Sequence, residues 1–109
     1  MSECVAKSII LLELIAKAKR PEIVTGVIKK GGEVLAKCLT EIAYNLLYGN
    51  IPIGKAESAA LRPYKKVVRQ FADKKISTSR KIRLLSAHAK LVRGIVKLAL
   101  PVVKVLGEK

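Results

Sequence analysis

Val34-Leu35-Ala36-Lys37-Cys38-Leu39-Thr40-Glu41-Ile42-Ala43-Tyr44-Asn45-Leu46-Leu47 places its apolar residues in adjacent pairs four apart: Val34 and Leu35, Cys38 and Leu39, Ile42 and Ala43, Leu46 and Leu47. That period is helical, and the stripe it draws is broad enough to predict a core helix rather than a surface one. Gly49-Asn50 supplies its C-terminal stop. Upstream, Gly31-Gly32 separates it from a short helix predicted over Pro21 to Lys30, with Ile23, Val24, Val27 and Ile28 on one side. A first helix is predicted over Glu3 to Lys19, capped by Ser2 and ended by the Arg20-Pro21 step, because proline pushes the residue before it out of the helical region.

Downstream, Asn50-Ile51-Pro52-Ile53-Gly54 reads as a turn-rich connector. A fourth helical stretch follows from Lys55 to Asp73, kinked or restarted at Arg62-Pro63. Beyond the proline, Tyr64, Val67, Val68 and Phe71 form the predicted buried face, and Lys65, Lys66, Arg69 and Gln70 the other. Ser77-Thr78-Ser79 is a run of N-cap candidates before a long helix predicted over Arg80 to Leu100, which Pro101 kinks or ends and Gly107 closes. Ile82, Leu85, Ala89, Val92, Val96, Ala99 and Val103 make one apolar stripe on it, and Leu91, Ile95, Leu98, Val102 and Val105 a second beside it. Arg83, Lys90, Lys97 and Lys104 form a narrow polar stripe, with Arg80 and Arg93 nearby. So broad an apolar surface suits a central helix of a bundle or a partner surface, including a second copy of the chain. The fold class expected is all-α: one compact domain over residues 1–109, a bundle of four to five helices with a long, proline-kinked C-terminal helix.

Half of the 109 residues are apolar and mean hydropathy is positive, yet the net charge is +14. Disordered basic tails combine high charge with low hydrophobicity, so a packed core is expected here instead. The charge is lopsided. Residues 1–50 hold seven Lys or Arg against five Glu, whereas residues 51–109 hold fifteen against Glu57, Asp73 and Glu108. The first half is expected to supply near-neutral, core-forming helices and the second half basic ones.

Several functional classes lose ground on residue types alone. The chain has one His, His88, and one Asp, Asp73, too few titratable groups for convergent acid–base or nucleophilic catalysis, so an enzyme is not expected. His88 reads as an ordinary mid-helix residue. Cys4, Cys38 and His88 lack the short paired spacings of a metal site, and no cofactor is implied. Gly49-Asn50-Ile51-Pro52-Ile53-Gly54-Lys55-Ala56 nearly matches a phosphate-cradling loop. Ala56, however, offers no hydroxyl to magnesium, and the loop follows a helix rather than a strand. Cys38 lies on the apolar stripe and Cys4 opens a helix, so buried thiols are expected rather than a disulfide. The N-terminus is acidic where a secretory leader is cationic, and the late apolar run Leu98 to Val103 stops at Lys97 and Lys104. An intracellular protein of the nucleus or a virion, with no membrane span, is the expectation.

The chemistry that survives is a block of nine cations: Arg62, Lys65, Lys66, Arg69, Lys74, Lys75, Arg80, Lys81 and Arg83, with Asp73 the only acid among them. The natural counterion of such a block is a polyanion. Double-stranded DNA held through its backbone fits best, since four aromatic residues and no Trp argue against a base-stacking platform for single strands. Ser77 and Ser79 add hydroxyls at a helix N-terminus, where a phosphate is held or a phosphorylation would repel one. Two other classes compete. One is a membrane-active helix over Leu91 to Leu106, with Lys90, Lys97 and Lys104 facing an anionic bilayer surface; the other is an oligomerising scaffold built through the last helix.

Asn45-Leu46-Leu47-Tyr48-Gly49-Asn50-Ile51-Pro52-Ile53, followed by Leu61-Arg62-Pro63-Tyr64-Lys65-Lys66-Val67-Val68-Arg69-Gln70-Phe71-Ala72-Asp73-Lys74-Lys75-Ile76-Ser77, resembles small basic proteins of Polinton (Maverick) elements and adintovirus-type DNA viruses. The likeness spans about Cys38 to Leu85. Proteins of that kind are regarded as counterparts of adenovirus-type core peptides, which neutralise packaged DNA. The resemblance therefore implies a DNA-contacting segment from Arg62 to Arg83. It departs at the tail, where Arg93, Lys97 and Lys104 stand in a region that is uncharged in the family.

Overall fold

The apolar stripe of residues 34–47 becomes the spine of an all-α fold. A computed structural model describes residues 3–49 and 51–107, with side-chain surroundings over 8–49 and 51–103. In chain order the elements are α1 (Glu3–Lys17), α2 (Pro21–Leu47), α3 (Lys55–Leu61), a single 3-10 turn (Arg62–Tyr64), α4 (Lys65–Ala72), α5 (Thr78–Ala87) and α6 (Ala89–Gly107). No strand occurs among the described residues. The expected cap Ser2 and stop residue Asn50 lie outside the described residues, as do the side chains of Cys4, Lys104 and Val105.

α2 starts where the sequence says it must. Arg20 is extended (φ −128°, ψ 143°) and Pro21 occupies the first turn, where its missing N–H costs nothing. The two helices expected on either side of Gly31-Gly32 are both present, joined end to end within α2 across a kink at Gly32, whose φ of 57° and ψ of −141° are open to glycine alone. Beyond that break six of the eight stripe residues, Leu35, Cys38, Leu39, Ile42, Ala43 and Leu46, are buried together with Ala36, while Leu47 is half-buried and Val34, beside the break, is exposed.

α2 packs against α1, α4, α5 and α6, and α1 and α6 pack on each other. α3 buries no residue. One connected core runs from Leu12 and Ile15 through the stripe of α2 to Phe71, Leu85 and Val96. With a radius of gyration of 12.5 Å the chain is as compact as the roughly 13 Å expected of a folded 100-residue domain.

Three sequence expectations need correction. Tyr64, expected on the buried face beyond Pro63, is exposed in the 3-10 turn before α4. The core is shared by both halves of the chain and is not confined to the near-neutral first half, because α6 contributes Ala89, Val92, Ile95, Val96, Ala99 and Val103 to it. The helix predicted over Arg80 to Leu100 is also not continuous. It breaks at His88 (φ −120°, ψ 44°), whose ring meets Phe71 edge-on at 6.1 Å and whose carbonyl accepts the first α6 bond from Val92. No glycine or proline marks that break, so tertiary packing sets it: α5 lies on α2 and α4, while α6 must reach α1. Pro101, by contrast, sits inside α6, which runs on to Gly107. Pro101 and Lys97 are both exposed, so the carbonyl that the proline leaves without a partner is on the wet side of the helix.

Candidate nucleic-acid interface

The basic block occupies consecutive pieces of structure: the 3-10 turn, α4, the turn after it and the first turns of α5. α4 is short and strongly two-sided. Val68, Phe71 and Ala72 are buried against α2, which turns Lys65, Lys66 and Arg69 outward. Asp73 then ends the helix, and its Oδ1 accepts the Lys75 N–H at 2.8 Å, an Asx turn that reverses the chain and leaves Lys74 and Lys75 at its tip. α5 begins with Ser77 as its N-cap, the Oγ accepting from the Arg80 N–H at 3.4 Å, as the Ser-Thr-Ser run predicted.

Eight of the nine predicted contact residues are exposed: Arg62, Lys65, Lys66, Arg69, Lys74, Lys75, Arg80 and Arg83. They are not equally grouped. Lys65, Arg69, Lys74 and Lys75 line one groove of about 520 Å³ between α4 and the end of α2, together with Tyr44, Tyr48 and Asp73. Arg62 continues that row, sharing the adjoining hollow with Lys65, Leu47 and Ile53. Lys66 on α4, and Arg80 and Arg83 on α5, are exposed outside these hollows.

The ninth residue belongs elsewhere. Lys81 is 3% exposed, and its Nζ donates to the Phe71 carbonyl at 2.6 Å, the Asp73 carbonyl at 2.7 Å and Thr40 Oγ1 at 3.0 Å. Thr40 in turn donates to the Ala36 carbonyl at 2.9 Å. Lys81 thus closes the C-terminal end of α4, where orphan carbonyls and the helix dipole favour a cation, and ties α5 to α2 at the same point. Burial pushes its ammonium below the usual lysine range, and the Asp73 carboxylate opposes that shift. Its three ammonium N–H groups are all engaged within the chain, which leaves none for a phosphate, so it is withdrawn from the contact set. The sequence did hold the signal: Lys81 lies four residues before the buried Leu85 and so shares its face. Arg93 does comparable work at the other end of the molecule, donating from Nη1 to the Ala18 carbonyl just past α1 at 2.8 Å.

As rings, Tyr44 and Tyr48 entered the sequence reading only within the count of aromatic residues that argued against a base-stacking platform, and their pairing was missed. They stand four apart at the end of α2, Tyr44 in its last turn and Tyr48 at its C-cap, outside the apolar stripe, with ring centroids 4.6 Å apart and the Lys74 Nζ 5.4 Å from the Tyr44 centroid. Their i, i+4 spacing was the available signal.

The near-match to a phosphate loop at residues 49–56 connects α2 to the seven-residue α3, with no strand before it. No helix among the described residues is long and apolar enough to cross a membrane. Compared with protein families, curated proteins and solved structures, the chain matches none of them.

Proposed function

We propose that this protein binds double-stranded DNA without reading its sequence and compacts it, as a core protein of a virus-like particle would. The observation that carries this reading is the exposure of eight cations along one continuous segment, from Arg62 to Arg83, on elements whose apolar faces are turned into the core. Backbone binding needs cations on a rigid support and no base-reading set. α4 and α5 supply the support through α2. The resemblance of residues 38–85 to the basic proteins of Polinton-type elements points the same way and motivates the virion setting.

The competing readings draw less support. A membrane-active C-terminal helix would need its apolar face free, and Val92, Ile95, Val96 and Ala99 are buried against the rest of the chain. An oligomerising scaffold built on α6 meets the same difficulty.

The test is charge reversal at Lys65, Lys66, Arg69, Lys74 and Lys75. Duplex affinity should fall by more than about a hundredfold at moderate salt, equally for unrelated sequences, because each lost phosphate contact removes its share of counterion release. Thermal stability should change little, since these side chains stand in water. Retained duplex affinity in the variant would overturn the assignment, and capture by anionic vesicles but not by duplex DNA would favour the membrane reading.

A further inference from the structure

We infer that the groove between the end of α2 and α4 is a stacking site for an unpaired base, so that the protein also grips single-stranded nucleic acid through Tyr44 and Tyr48. The inference rests on the cationic surface proposed above but asks something different of it.

Low aromatic content argues against such a site only if no two rings stand together in the open; Phe71 is buried and Tyr64 stands apart, but Tyr44 and Tyr48 are paired and exposed. Tyr44 and Tyr48 are two of only four aromatic residues in the chain, they lie side by side, and they are 41% and 68% exposed. Their contact is an ordinary i, i+4 pair at a helix end, and Lys74 covers part of Tyr44. Neither neighbour accounts for Tyr48, the more open ring. Around the pair stand Lys65, Arg69, Lys74 and Lys75, so an aromatic face and a row of backbone-neutralising charges meet in one groove. Asp73 is the one acid there, and its Oδ1 is engaged with the Lys75 N–H. Exposed rings within a positive groove are the two components of sequence-tolerant single-strand binding, each stacked base contributing about 1–3 kcal/mol.

A duplex cannot use this site along its length, because its bases are already stacked on one another. Its phosphates can meet the outward cations of α4 and α5, while a frayed end, a loop or a free strand can also place a base on Tyr48. The ligand is therefore a phosphate-linked strand with an unstacked base, DNA or RNA.

The experiment compares oligo(dT), oligo(U) and a duplex of equal length against the wild-type chain, a Tyr44→Leu/Tyr48→Leu variant, a Tyr44→Phe/Tyr48→Phe variant and the five-site charge reversal. The Leu variant should lose about tenfold or more in single-strand affinity, in keeping with the loss of one or two stacked bases, and keep its duplex affinity. The Phe variant should retain both, since stacking needs the ring and not the hydroxyl. Charge reversal should lose both. Because the chain has no Trp, a Tyr64→Phe background leaves Tyr44 and Tyr48 as the fluorescent reporters, and their emission should be quenched by the single strands and not by duplex. A stronger response to oligo(dT) or to oligo(U) identifies which strand is the better ligand. Unchanged single-strand affinity in the Leu variant, or loss in the Phe variant, overturns the stacking site while leaving duplex binding intact. Single-strand binding by a chain that ignores duplex would instead overturn the proposed function and leave the stacking site standing.

Discussion

The second half of α2 and the segment from Arg62 to Arg83 are in contact, yet their side chains do opposite things. Along α2 nearly every apolar residue of the 34–47 stripe points into the core, and the helix touches four others. Along α4, the turn and α5, a thin line of apolar residues (Val68, Phe71, Leu85) anchors the segment while eight cations face water. One region stabilises the fold and presents little charge. The other presents the charge and relies on the first for its shape. What this teaches is that stability and ligand affinity should be separable by mutation, and that a residue's membership is set by which side of its helix it occupies, not by its chemistry. Lys81 makes the point, being a lysine within the basic block that serves the fold.

The largest effect short of charge reversal should therefore come from Lys81→Met. Removing the ammonium leaves the Phe71 and Asp73 carbonyls and Thr40 without their shared donor, a loss of about 2–4 kcal/mol for buried charge-assisted bonds. In a domain of this size that lowers the Tm by roughly 10 °C or more. Duplex affinity, measured well below the Tm, should stay at the wild-type value. A stable variant with weakened DNA binding would move Lys81 back among the contact residues and blur the boundary.

Gly32→Ala should follow, at about 1–3 kcal/mol, since a side chain strains the positive-φ break in α2. Denaturant unfolding measures it, again with no change in affinity expected. The smallest effect belongs to Ser77→Ala. The cap bond to Arg80 is long at 3.4 Å, so the loss should lie near the low end of the cap range, about 0.5–1 kcal/mol. A larger loss would mean that Ser77 holds more than its own helix.

Much of this division was legible beforehand. The apolar stripe on α2, the break at Gly31-Gly32, the restart at Arg62-Pro63 and the Ser77 cap are local features, and local chemistry fixes them. The break at His88 was not legible, because nothing in Ala87-His88-Ala89 demands it; the need of α6 to reach α1 does. The continuity of α6 through Pro101 depends likewise on which side of the helix meets water. At the site, exposure followed from the amphipathic pattern for eight of the nine cations. Lys81 escaped because a long block of like charges reads as uniformly solvated, although its four-residue offset from Leu85 places it inward. The meeting of Tyr44 and Tyr48 with Lys74 is a tertiary event: residues far apart in sequence come together only once α4 and its turn are laid against α2.

The most direct test of the central claim is a salt titration of duplex DNA binding by the full chain. If six to eight of the exposed cations neutralise phosphates, log K should fall linearly with log salt at a slope of about −5 to −7, the same for unrelated duplex sequences, and become shallower when Lys65, Lys66, Arg69, Lys74 and Lys75 are reversed. A slope near zero, or one that differs between sequences and ignores those five residues, would contradict it.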